Sequence, residues 1–320
     1  MNPSSSRTNI IRPTNHTVTN PPGSCRCAMS WTVTGILAVF LLVSATVQAQ
    51  LSNAWIVPAA AHTPGVGGTF WRTDLSIHNP QNGPLPVVVQ VLQTGLDNGA
   101  VPTLDLNVAS WETVNLWDVM GPDLFDVESS GAILVYVPLS EPCFEQACDL
   151  LVTSRTYTLD TNGGAGEYGQ AVPAATLLEG TDWWTFGYAA GILNDEVSFR
   201  CNIGVASWTS EWTQVAVDIQ DAAGNIIDTE IFDLPPFGHL QRRLDTLVTG
   251  GSLVFYLTDG PDDSWVYPYA SVVNQETGDP SYFFARYSSV GVSKRQRSRP
   301  EPQLPERGRT VHPQNLKTTR

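Results

Sequence analysis

Trp71-Arg-Thr-Asp-Leu-Ser-Ile-His-Asn79 and Phe199-Arg-Cys-Asn-Ile-Gly-Val-Ala-Ser207 are two versions of one stretch, and their reading decides the fold. In the second copy Phe199, Cys201, Ile203 and Val205 share one side, and Arg200, Asn202, Gly204 and Ala206 the other. A period of two is the mark of a strand with one buried face. Outward from this block the echo continues. Ala59 and Ala60 match Ala189 and Ala190, and Val87, Val89 and Val91 match Val215, Val217 and Ile219. Gly131-Ala-Ile-Leu-Val-Tyr-Val137 matches Gly251-Ser-Leu-Val-Phe-Tyr-Leu257, and Ser154-Arg-Thr-Tyr-Thr158 matches Tyr269-Ala-Ser-Val-Val273. The segment order is kept throughout. The period is far longer than the ~20–50 residues of a short-repeat solenoid, so the pattern is that of a duplicated domain.

Turn residues punctuate the strands at Asn79-Pro80, Asn82-Gly83-Pro84, Ala223-Gly224-Asn225 and Asp259-Gly260-Pro261. Short alternating runs separated by such turns predict an all-β chain of two antiparallel β-sandwiches in tandem. The expected layout is a signal segment over 1–50, sandwiches over 51–178 and 179–287, and a disordered basic tail over 288–320. That tail is Arg- and Pro-rich with little to bury. Phe70-Trp71-Arg72-Thr73-Asp74-Leu75 with Asn79-Pro80, and Val272-Val273-Asn274 with Thr277-Gly278-Asp279-Pro280, resemble motifs of secreted bacterial tandem immunoglobulin-like proteins of largely uncharacterised role. The resemblance covers most of 54–287. It implies an immunoglobulin-like fold and export, and carries over no functional residues.

The formal net charge of −14 understates the acidity of the body. Between Leu51 and Val292 there are six arginines, no lysine and 29 acids, a net of −23. Such a surface repels phosphate backbones, which excludes nucleic acid as a partner of the folded part. The apolar run Trp31–Val47, with Arg7, Arg12 and Arg26 before it and Val47-Gln48-Ala49 at its end, has the layout of an export signal; Met29 is an alternative start, which would remove those arginines. Membrane contact is expected only through this segment before cleavage, and the destination is secreted, periplasmic or cell surface. Cys143 and Cys148 sit between strand-like runs and suit a loop disulfide in an oxidising compartment, while Cys201 points inward as a buried thiol.

No Gly-x-Ser-x-Gly elbow or zinc-type histidine pair is present, so no catalytic residue is assigned and the chain is read as a non-enzyme. Asp259, Asp262 and Asp263 cluster in one loop and are the candidate ligands for calcium, which takes several hard oxygens from flexible loops. Trp208, Trp212, Trp265 and Tyr267 are the candidate ligand-binding residues, because a sugar ring stacks on an aromatic face while nearby polar groups take its hydroxyls. The expectation is an exported noncatalytic binding or adhesion-type module whose partner is an extracellular protein or a glycan. The alternatives are a carbohydrate-binding module using those tryptophans and a structural subunit of a surface assembly built through strand edges.

Overall fold

The computed structural model describes residues 52–138, 148–159, 166–288 and 306–310, and the chain from Gln48 onward forms one compact unit. The predicted signal segment and Cys143 lie outside the described residues. Among those residues the regular structure is strand, with two 3₁₀ turns at Val66–Gly68 and Leu177–Glu179. No helix there is long and apolar enough to cross a membrane.

The first half runs β1 (Ala54–Pro64), β2 (Phe70–His78), β3 (Leu85–Gln93), β4 (Ala100–Val108), β5 (Thr113–Leu116), β6 (Ser129–Tyr136), β7 (Leu151–Leu159), β8 (Glu167–Pro173) and β9 (Ala175–Thr176). The second runs β10 (Phe186–Asn194), β11 (Phe199–Ser207), β12 (Thr213–Gln220), β13 (Ile226–Leu234), β14 (His239–Arg243), β15 (Val248–Asp259), β16 (Val266–Asn274), β17 (Pro280–Phe284) and β18 (Arg286–Ser288). In the first half β4-β3-β6-β1 lie side by side with β9 on β1, and β5-β2-β7-β8 form the other layer. The second half repeats this as β13-β12-β15-β10-β18 and β14-β11-β16-β17. The first half's layers are joined where Thr63 and Pro64 of β1 pair with Trp71 and Phe70 of β2.

Register confirms most of the internal match and corrects the rest. Val91 opposite Ile133 is repeated as Ile219 opposite Leu253. Leu75 faces Ser154, and its counterpart Ile203 faces Ala270. Ser154 therefore corresponds to Ala270 rather than Tyr269. That one-residue slip matters, because it would send every side chain of β16 to the wrong face. The alanine match is off by two, which preserves the face: Val57 and Ala189 hold the equivalent places opposite Ile133 and Leu253. Gly131 and Gly251 are repeated for one reason. A Cβ there would lie 2.4 Å from the Leu92 carbonyl oxygen in the first half and 2.0 Å from that of Gln220 in the second.

Each half buries its own core, around Val57, Leu75, Val89 and Ile133 in the first and Ile203, Val217, Phe255 and Val272 in the second. A third cluster joins them: Ile56, Leu92, Leu134 and Ala175 meet Ala206, Trp208, Phe237, Trp265 and Tyr267. The outer face of β11 is thus covered as well, whereas alternation in the sequence predicts a strand buried on one face only.

Part of the predicted tail is in regular structure. Glu306–Thr310 forms β19, which pairs in parallel with the edge strand β4. Poor apolar content does not prevent this, because an unpaired sheet edge offers backbone hydrogen bonds to any extended segment.

Candidate functional site

The site lies on the outer face of the sheet β14-β11-β16-β17, where it meets the first half. Along β11 that face carries Arg200, Asn202, Gly204 and Ala206, opposite Val273, Ser271, Tyr269 and Tyr267 of β16. Gln241 and His239 of β14 lie opposite Gly204 and Ala206 on the other flank.

Near its middle the junction is closed by a buried polar chain. Tyr269 Oη donates to Gln241 Oε1 at 2.7 Å. Its proton is thereby used, so His239 Nε2, 2.8 Å from Tyr269 Oη, is the donor in that contact. His239 Nδ1 then accepts from Thr94 Oγ1 of the first half. Burial pushes the His239 pKa down to about 3, so the ring is neutral at ordinary pH. Backbone bonds run alongside: Gly95 N donates to the His239 carbonyl at 2.8 Å, and Asn98 N to that of Pro236 at 3.0 Å.

Beyond this chain the two halves part and leave a cleft of about 210 Å³. Arg200, Asn202, Gln241 and Ser271 line it from the second half, and Trp71 and Gln170 from the first. Ser271 Oγ donates to Gln170 Oε1 at 3.3 Å and ties the walls together. Among the described residues no aspartate or glutamate lines the cleft. Arg200 is half-buried and, among the described residues, has no carboxylate within ion-pair distance. Burial first, and the neighbouring Arg243 second, lower its pKa from the ordinary guanidinium value. Arg243 itself sits 3.8 Å from Glu196. Among the described residues the side-chain nitrogens of Arg200, Asn202 and Trp71 find no protein acceptor, so the cleft presents hydrogen-bond donors and a positive charge.

The residues singled out from sequence fall elsewhere. Trp208 (2% exposed), Trp265 (4%) and Tyr267 (0%) are buried in the cluster between the halves, and only Trp212 is open, at 63%. The four do not make an exposed platform. Trp208 N instead donates to the Trp265 carbonyl at 2.8 Å, and the Trp208 and Tyr267 rings lie 6.2 Å apart. Large aromatics are the natural filling where two sheets bury apolar area against each other. Asp259, Asp262 and Asp263 are likewise not a metal cage: among the described residues no three His, Cys, Asp or Glu side chains converge to hold an ion. Asp259 Oδ1 accepts from Gly260 N at 2.8 Å, the ordinary role of such a residue in a turn. Cys148 is buried, Cys143 lies outside the described residues, and Cys201 is a free thiol whose pKa burial raises to about 12.

Two groups escaped the sequence reading. One is the Arg200 cleft, which exists only because the halves meet. The other is an aromatic row on the outer face of β10 and β15, exposed at Phe186 and Tyr188 and half-buried at Tyr256. Phe186 and Tyr188 have ring centroids 6.4 Å apart, with Tyr256 at 5.8 Å from Phe186. Phe186-Gly-Tyr188 alternating with the buried Ala189 was the available signal for it.

No protein-family model matches the chain, and no curated protein matches it. Solved structures overlap it only loosely. The lectin of Pleurotus ostreatus in complex with GalNAc has 10% identity and a TM-score of 0.18, over 73% of this chain and 82% of the lectin. The same lectin in its apo form has 9% identity and a TM-score of 0.18, over 83% and 90%. A calcium-binding mutant of β-glucuronidase 2 from Bacteroides uniformis has 9% identity and a TM-score of 0.15, over 68% of this chain and 24% of the enzyme. At these scores the overlaps carry no inference about ligand or activity.

Proposed function

We propose that this is an exported, noncatalytic binding protein of two immunoglobulin-like sandwiches, destined for the periplasm, the cell surface or the medium, that holds a small polar ligand in the cleft between its halves. The observation that carries the reading is a cleft between the halves lined by the donors of Arg200, Asn202 and Trp71, for which no acceptor is present among the described residues. A concave site with a few convergent polar groups and one charged side chain is the usual form of a small-ligand site. Chemical-shift mapping of the full chain against a panel of sugars, sugar acids and amino acids tests it. Shifts centred on Trp71 and Asn202, lost in Trp71→Ala, are expected; shifts confined to the exposed aromatics would refute it.

Those aromatics support a second reading, in which the partner is an extracellular glycan stacking on Phe186, Tyr188 and Tyr256 beside Asp218, whose Oδ1 accepts from Tyr256 Oη at 3.3 Å. Glycan-array binding abolished by Tyr188→Ala and untouched by Trp212→Ala would favour it. Export also predicts an oxidised Cys143–Cys148 pair, visible as a cross-linked peptide in a non-reducing peptide map.

A further inference from the structure

We infer that the cleft recognises a carboxylate: a small, singly charged acidic ligand of about one sugar ring, its carboxylate seated on the Arg200 guanidinium. The inference rests on the cleft being the binding site and names the chemistry it selects.

The duplication supplies the argument. Arg72 and Arg200 hold the same place, Arg72 opposite Tyr157 on β7 and Arg200 opposite Val273 on β16. In the first half the arginine is compensated within the protein. Arg72 Nε lies 3.5 Å from Asp118 Oδ2, and two residues along the strand Asp74 holds Arg155 at 2.9 Å. In the second half the arginine is kept, and the two places that carry Asp74 and Arg155 in the first half are neutral. Asn202 stands where Asp74 stands, and Ser271 where Arg155 stands. What remains is one half-buried cation with no carboxylate within ion-pair distance among the described residues. Such a group is costly to keep unless something else supplies the charge.

Several features narrow what supplies it. A guanidinium offers a planar fork that matches a carboxylate, and charge-assisted bonds of this kind are about twice as strong as neutral ones. Arg200 is the one charged side chain lining the cleft among the described residues, its neighbour Arg243 lying outside the lining and 3.8 Å from Glu196, so the site fits one negative charge rather than two. The volume of about 210 Å³ lies below the ~300 Å³ at which drug-sized sites begin, and suits a single ring. Asn202, Gln241 and Ser271 can take hydroxyls, and the Trp71 indole borders the same space. The body's net charge of −23 opposes approach by a polyanion, so a free acid is favoured over an acidic polymer.

The experiment is calorimetric titration of the full chain with galacturonate, galactose, acetate and polygalacturonate, alongside chemical-shift mapping. Galacturonate is expected to bind about tenfold or more tightly than galactose, as a charge-assisted bond requires. Arg200→Gln is expected to lose at least that factor. Asn202→Asp, which restores the internal acid of the first half, should do the same, while Arg72→Gln leaves binding unchanged. Thermal melts establish that each variant is folded. Equal affinity for galactose and galacturonate, or undiminished affinity in Arg200→Gln, would overturn the carboxylate while leaving a cleft ligand standing. Tighter binding of polygalacturonate per sugar unit would overturn the preference for a free acid. Shifts mapping away from Trp71 and Arg200, or none with any probe, would overturn the cleft itself.

Discussion

The outer face of β2 carries Arg72, Asp74, Ser76 and His78; the matching face of β11 carries Arg200, Asn202, Gly204 and Ala206. Their inner faces are near copies, with Leu75 and Ile77 answering Ile203 and Val205 in the two cores. The outer faces have diverged in a consistent direction. On β2 the side chains bond one another: Arg155 spans Asp74 and Glu167, each at 2.9 Å, and His78 Nδ1 lies 3.0 Å from Thr113 Oγ1. On β11 charge and bulk shrink from Arg200 towards Ala206, and a second sandwich lies against the small end. The two halves thus keep alike what each needs to fold and differ on the opposite face, where the junction forms. The cleft is where that junction stops short.

Exchanging residues between the two faces breaks the comparison in graded steps. Gly204→Ser imports Ser76 and should have the largest effect, because a Cβ at Gly204 would lie 2.3–2.7 Å from the Tyr269 ring. A cost of about 3 kcal/mol is expected in urea unfolding, the upper range of overpacking. The reciprocal Ser76→Gly should cost about 1 kcal/mol, through the lost bond to Asn115 and a strand glycine. Asp74→Asn imports Asn202 and leaves Arg155 with a weaker partner and Glu167 alone as its counter-charge, for a loss of about 2 kcal/mol.

Acid should act on the junction through His239. Its folded pKa of about 3 lies below the ordinary 6.5. As pH falls from 6.5 towards 3 the unfolded chain takes up a proton that the folded protein refuses, so stability drops across that window and is fully present above it. The slope from this one group approaches 1.4 kcal/mol per pH unit, roughly. Between pH 7.5 and 5.5 the wild type should therefore lose about 1 kcal/mol more than His239→Phe, measured by urea unfolding of each. A parallel loss in both proteins would remove His239 from the account.

The smallest effect is expected at Gln90, whose side-chain oxygen and nitrogen are buried without a hydrogen-bond partner among the described residues. Gln90→Met removes both polar atoms at similar volume and should raise stability by roughly 1 kcal/mol. Destabilisation would mean that the amide is satisfied in solution.

Much of the fold was legible because its cause is local. Alternation at Phe199–Val205, the glycine pair Gly131 and Gly251, and the turn residues each act through near neighbours, and they place strands and cores. The match at Ser154 failed by one residue because neither β7 nor β16 alternates cleanly: Thr and Ser fill one, and the other is buried over nearly its whole length. Trp208, Trp265 and Tyr267 were misread for a related reason. An aromatic residue suits a sugar platform and a sheet-to-sheet junction equally well, and composition does not say which.

The amino-acid sequence by itself determined the strand character, the duplication, the two cores and the acidity, since side-chain period and charge are properties of the chain as written. Only the tertiary structure decided that the outer face of β11 is covered, that three of the candidate aromatics are buried, and that Arg200 has no carboxylate within ion-pair distance among the described residues. Those outcomes depend on which surfaces meet, and association of two preformed faces is set by shape and packing over residues far apart in sequence.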